Sequence, residues 1–163
     1  MRIKMQSVSV YYISLSGNTT NFLYRLSEYT NKYHNMDIKY TNIKELIKTG
    51  ETIEFDVTEN YIAFLPAYLE GGNGIDSGYK EILTTPFKKF IAYGNNQFYC
   101  QGIIGSGNKN FNKQFCLTAH QYAERFDFPV LDEYELRGTD DDIKRIATKI
   151  ITIFKNRKEV NNK

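Results

Sequence analysis

The 163-residue chain has no tryptophan, two cysteines and two histidines. No apolar run approaches the roughly 18 residues that a membrane span requires. The opening MRIKMQS lacks the apolar centre of a secretory signal, so a cytoplasmic protein with no membrane association is expected. Cys100 and Cys116 form no CxxC, and with His34 and His120 as the only histidines the spacing offers no metal site. Buried free thiols are the expectation for both. Charge of one sign is also lacking: 21 basic against 19 acidic residues leave a net +2. The one basic cluster, at residues 155–163, suits a solvated helix end better than a nucleic-acid arm. Without repeats or low-complexity linkers, the length fits one domain over residues 1–163.

Two phosphate-binding signatures are missing as well. GxxxxGK[ST], which supplies a lysine for nucleoside triphosphates, does not occur, and neither does the dinucleotide fingerprint GxGxxG. What does occur is SVSVYYISLSGNTT at residues 7–20. Val8, Val10, Tyr11, Tyr12 and Ile13 suit a strand buried on both faces, as in a parallel sheet. Ser14, Ser16, Gly17, Asn18 and Thr19 then form a hydroxyl-rich turn into a helix with apolar positions at Phe22, Leu23, Leu26 and Tyr29. A helix N-terminus behind such a turn offers backbone N–H groups, a positive dipole end and neutral hydroxyl donors. Donors without a cation suit one terminal phosphate, and the pattern resembles the FMN phosphate loop of flavodoxins. An ordinary capped helix following a strand has the same composition, and this segment alone leaves both readings open.

The rest of the chain repeats the strand and helix alternation. The first helix fades near His34 and Asn35. A short strand follows at residues 36–40, then one or two helical turns through Ile43, Leu46 and Ile47. Residues 51–60 read as a surface connection. YIAFL at residues 61–65 is a buried strand stopped by Pro66, and AYLEGGNGIDSGY beyond it carries a dense glycine cluster. Tyr79, Ile82 and Leu83 begin a helix that restarts at Thr85 and Pro86, buries Phe87, Phe90 and Ile91, and stops at Gly94. A fourth strand is expected over residues 98–104, followed by the glycine-bearing loop GSGNKNF. Phe115, Cys116, Ala119, Tyr122, Ala123 and Phe126 mark a helix ending before Pro129. The last strand, residues 130–136, carries Asp132, Glu133 and Glu135, which places it at an edge. Thr139 with Asp142 approximates a capping box for a final helix whose inner stripe is Ile143, Ile146, Ala147, Ile150 and Phe154. Five alternations predict an α/β fold: a flavodoxin-like, doubly wound five-stranded parallel sheet of order 2-1-3-4-5 with helices on both faces. That order gathers the hydroxyl turn and both glycine loops at the carboxyl ends of strands one, three and four.

Two runs carry a more specific resemblance. GIIGSGNKNF at residues 102–111 and YELRGT at residues 134–139 resemble the NrdI proteins, flavodoxin-like partners of class Ib ribonucleotide reductase, and the likeness extends over nearly the whole chain. Ordinary flavodoxins, by the same comparison, lack the SGNxN loop and usually sandwich the flavin with a tryptophan. The resemblance implies bound FMN, with Ser14, Ser16, Gly17, Asn18 and Thr19 on its phosphate. Ala67, Tyr68, Leu69, Glu70, Gly71 and Gly72 would flank the isoalloxazine on one side, and Ser106, Gly107, Asn108, Asn110 and Phe111 on the other. Tyr68 is the preferred stacking residue. Two departures stand out: Leu15 replaces a hydroxyl residue, and the loop at residues 69–77 is longer and more acidic than usual.

The implied role is activation of O₂. Reduced FMN would generate superoxide for assembly of the dimanganese and tyrosyl radical cofactor of the reductase small subunit. The chain would act as an oxidant source rather than on an organic substrate, with no catalytic side chain of its own, and would need a separate flavin reductant. A general electron-transfer flavodoxin is the alternative, though an acidic docking face and a stacking tryptophan are both missing. A response-regulator reading needs an aspartate where Leu65, Pro66 and Ala67 stand. A low-molecular-weight phosphatase needs a cysteine in the first loop, which holds none.

Overall fold

The computed structural model describes residues 6–14, 17–66, 77–107, 117–135 and 137–161, with side chains described outside 77–84, 117 and 156–161. Five parallel strands form one sheet in the order β2-β1-β3-β4-β5. They are β1 (Gln6–Tyr12), β2 (Met36–Asn42), β3 (Tyr61–Pro66), β4 (Cys100–Gly107) and β5 (Val130–Glu135). Between and after them run α1 (Asn18–His34), α2 (Ile43–Lys48), α3 (Ser77–Ala92), α4 (Asn96–Tyr99), α5 (Leu117–Phe126) and α6 (Asp140–Asn161). The fold is the expected flavodoxin-like one.

Period-two alternation along the strands divides the core into two layers. Val8, Val10, Tyr12, Ile62, Phe64 and Ile104 face α1 and α6, where Phe22, Leu23, Leu26, Ile146 and Ile150 meet them. Ile13, Tyr61, Ala63, Leu65 and Ile103 face the opposite way, against Phe87 and Phe90 of α3 and Ala119, Tyr122 and Phe126 of α5. The central strand β3 is therefore buried along its whole length, which is why its sequence reads as a continuous apolar run.

Helix ends follow local chemistry. Asn35 closes α1 in a left-handed conformation, and its N–H bonds Thr30 O. Thr139 and Asp142 form the expected reciprocal cap of α6: Thr139 N donates to Asp142 Oδ2 at 2.8 Å and Asp142 N to Thr139 Oγ1 at 3.1 Å. β5 lies at the edge as expected, and α6 covers part of it. Arg145 Nη2 donates to Glu133 O at 3.1 Å and Lys149 Nζ to Leu131 O at 2.9 Å, occupying carbonyls on a strand that pairs only with β4.

Three expectations need correction. α3 runs through Pro86 without restarting at Thr85. The lost backbone donor is tolerated because Phe87, Phe90 and Ile91 stay fully buried against the sheet. β4 starts at Cys100 rather than Phe98, because residues 96–99 are held as a helical turn. The Asn96 side chain anchors that turn: it accepts from Val57 N at 2.9 Å and donates to Phe55 O at 3.0 Å and Phe90 O at 2.9 Å. Phe98 is consequently 73% exposed. Finally, the connection before β3 is not wholly a surface one, since those same bonds tie it to α3 and Val57 joins the core. Cys100 is a buried free thiol, as expected, and burial pushes its pKa up to about 12, which disfavours the thiolate at neutral pH. Cys116 lies outside the described residues.

Candidate functional site: the turn between β1 and α1

The strand order reverses between β1 and β3, and ligands of open α/β sheets bind beyond the carboxyl ends at that point. Three of the expected site segments begin there. β1 delivers Ser14, and β4 delivers Ser106 and Gly107. The end of β3 lies between them, with Pro66 opposite Ser106 in register. Ser14, Thr19 and Ser106 are all buried, although each is a polar side chain at a strand or helix end.

The turn is built without a side-chain cap. Its N-cap position is Gly17, at φ 89°, a conformation that glycine adopts without strain. No side-chain oxygen therefore occupies the cap, and α1 has no acidic residue in its first turn. Among the described residues, no hydroxyl side chain caps α1. Ser14 Oγ instead accepts the Gly17 N–H at 3.1 Å, closing the turn and leaving its own hydroxyl proton to donate elsewhere.

Thr19 is the sharpest feature. It is 1% exposed, and its Oγ1 has no hydrogen-bond partner among the described residues. A buried hydroxyl without a partner costs on the order of 1–3 kcal/mol, which a ligand oxygen arriving there would recover. The next hydroxyl, Thr20 Oγ1, is engaged with Tyr12 Oη at 3.1 Å. Burial raises the Tyr12 pKa, so that phenol stays protonated at neutral pH. The nearest cation along α1, Arg25, is committed to the carbonyls of Arg137 and Gly138 and to Asn21 Oδ1. The described part of the turn thus presents neutral donors and a helix dipole, a set that fits a single phosphate group.

Several expected site residues lie outside the described residues: Ser16, Ala67, Tyr68, Leu69, Glu70, Gly71, Gly72, Asn108, Asn110 and Phe111, together with the departure at Leu15. One contributor was not anticipated. Asn42, the last residue of β2, reaches across to the turn, and its Oδ1 accepts from Ser14 N at 3.4 Å. The only trace of it in the sequence is an asparagine immediately before the helical positions of α2. Among the described residues no metal-ligating cluster occurs, and no helix is long and apolar enough to cross a membrane.

Strand order, the glycine at the helix start and a buried hydroxyl without a partner among the described residues fit a domain of the flavodoxin class, for which a flavin is the implied cofactor. Residues 10–148 match the NrdI flavodoxin-like family, and the chain belongs to that family. An NrdI-like protein of Streptococcus pneumoniae is 51% identical over 156 residues, covering 95% of this chain and 99% of that one. One from Streptococcus pyogenes is 56% identical over 147 residues, covering 90% and 94%. Among solved structures, a short-chain flavodoxin associated with a PDU bacterial microcompartment superposes with a TM-score of 0.60 at 16% identity, covering 93% of this chain and 99% of that one. That last likeness is one of fold.

Proposed function

We propose that the chain is a cytoplasmic FMN protein, one flavin domain over residues 1–163, whose reduced cofactor activates O₂ for a class Ib ribonucleotide reductase. Membership of the NrdI family supports the assignment. The observation that carries the cofactor is Thr19 Oγ1, buried and without a partner among the described residues, beside a helix start whose cap position is a glycine. FMN ends in one phosphate, and the described donors are neutral and few, as one phosphate requires.

Bound FMN would supply the redox chemistry, taking electrons from a reductant and passing them singly to O₂ as superoxide. The residues of the chain hold and orient it. Ser14, Ser16, Gly17, Asn18 and Thr19 receive the phosphate. Residues 67–72 and 106–111 flank the ring, with glycine and asparagine letting backbone amides approach its polar edge. Tyr68 is the proposed stacking side chain. The same loops form the docking surface for the dimanganese small subunit, with Tyr68, Leu69, Asn108 and Phe111 as contacts. Superoxide released to water would be lost before reaching a buried metal centre, so the flavin edge must seal against its partner.

The test is electron paramagnetic resonance of the manganese-loaded small subunit after the reduced protein and air are added. More tyrosyl radical than free reduced FMN produces is the expected result. An equal yield, together with ready electron transfer to unrelated acceptors, would instead identify a general electron-transfer flavodoxin. The cofactor is checked separately: heat release should yield FMN, and recovery of FAD alone would overturn the assignment.

A further inference from the structure

The phosphate turn is tied to a part of the fold that meets no ligand in the proposed function. Asn42 ends β2 opposite Tyr12 in the β1 register, so it stands beside the last paired residue of β1. Beyond Tyr12 the β1 ladder has run out on both sides, since Tyr12 is also the last residue paired with β3. The Asn42 side chain extends it by one bond. Its Oδ1 accepts the Ser14 N–H at 3.4 Å while also capping α2 through Lys44 N at 3.1 Å. Two converging N–H donors identify that atom as the oxygen of the amide, and a carbonyl oxygen has lone pairs for both. Ser14, held in this way, accepts from Gly17 N and so fixes where α1 begins. Ile13 and Ile43, neighbours of the two tethered residues, are buried in one cluster beneath them.

We propose that Asn42 is a positioning residue that presets the turn for the terminal phosphate of the flavin nucleotide, an inference that rests on this turn being the phosphate site. It acts through Ser14: with the tether in place Ser14 and the Gly17 N–H it accepts are held before the ligand arrives, and without it the cost of fixing them falls on binding. Its other bond, to Lys44, serves α2 alone. The two roles can therefore be separated.

FMN and riboflavin differ only in the phosphate, so the ratio of their affinities isolates this turn. The full chain stripped of flavin is titrated with each, following quenching of flavin fluorescence, for wild type, Asn42→Ala and Asn42→Ser. Serine caps a helix about as well as asparagine but is too short to serve both donors. Wild type should prefer FMN. Both variants should lose between about twofold and tenfold of that preference, the worth of one net hydrogen bond, with riboflavin affinity unchanged. Asn42→Ser should keep the higher thermal midpoint of the two. A preference unchanged in both variants, or lost in Asn42→Ala and restored in Asn42→Ser, would make Asn42 a helix cap and overturn the proposal. A wild type that binds FMN and riboflavin equally would overturn the phosphate site itself.

Discussion

Ser14 Oγ accepts the N–H of Gly17 at 3.1 Å, and through that bond the serine that ends the β1 segment closes the turn instead of capping the helix after it. Side-chain caps exist to satisfy the first N–H groups of a helix. Here the cap position has gone to a glycine at φ 89°, a backbone conformation that strains any residue with a side chain, so no side-chain oxygen can take the cap without cost. α2 and α6 do have side-chain caps, from Asn42 and Thr139, so the fold does not lack the means. An open helix start at the switch point is what an anion site requires, and Thr19 extends the same logic into the buried part of the turn.

Thr19→Val tests that reading from both directions. Valine keeps the shape and removes a hydroxyl that has no partner among the described residues, so the flavin-free protein should be as stable as wild type or slightly more so. FMN binding should weaken by about 1–2 kcal/mol, since a charged phosphate oxygen loses a donor. Thermal denaturation of the flavin-free form and FMN titration provide the two readings. Loss of stability with FMN affinity intact would show that the hydroxyl serves the fold.

Much of this arrangement is legible in the sequence, because it depends on local pattern. YIAFL reads as a central strand because β3 is buried on both faces, and Thr139 with Asp142 reads as a cap because its two bonds span three residues. The errors share one cause. Phe98 looks like a strand residue until Asn96 is known to bond Phe55 and Val57, 41 and 39 positions away in the chain. Asn42 meets the turn after β1, through Ser14 N, only once the β1 and β2 register sets it opposite Tyr12. Contacts between distant segments leave no periodicity to read.

Asn96 offers the clearest stability test. Its amide joins the segment before β3 to the end of α3 with three bonds, two of which are fully buried. Asn96→Ala leaves Val57 N, Phe55 O and Phe90 O to find new partners, and should cost about 2–4 kcal/mol. Urea denaturation measures it. A change within about 0.5 kcal/mol, the range of ordinary surface substitutions, would mean that water replaces the amide without penalty.

Gly138 ties the start of α6 to α1. It sits at φ 74°, and a Cβ there would lie 2.6 Å from the Phe22 ring, which itself stacks on Tyr134 with centroids 3.9 Å apart. Gly138→Ala therefore meets backbone strain and a clash together, and should destabilise by roughly 1–3 kcal/mol. The Phe22 ring is fully buried and cannot swing into solvent. A melting temperature equal to wild type would show that the loop at residues 137–139 shifts freely.

The edge of the sheet gives a pH dependence whose sign can be worked out. Asp132 accepts from Arg145 Nε at 2.8 Å and lies 3.1 Å from Lys149 Nζ, while Asp142 lies 2.9 Å from Arg145 Nη1. Burial alone would raise both carboxyls; hydrogen bonds from Arg145 and backbone N–H groups, with Lys149 also at Asp132, outweigh it and hold both below their ordinary value. A carboxyl depressed in the folded state contributes stability that is present above its unfolded pKa and is lost as pH falls through its folded one. The ordinary value is near 4, so this contribution should be intact at neutral pH and disappear progressively below about pH 4. Arg145→Ala removes the charge shared by both acids, returns them toward their unfolded values and flattens the acid limb of a stability-against-pH curve. It also frees Glu133 O on the sheet edge, so the variant should self-associate more readily than wild type, which light scattering would detect. An acid limb as steep in Arg145→Ala as in wild type would assign the acid sensitivity to other carboxylates and leave Arg145 with the edge alone.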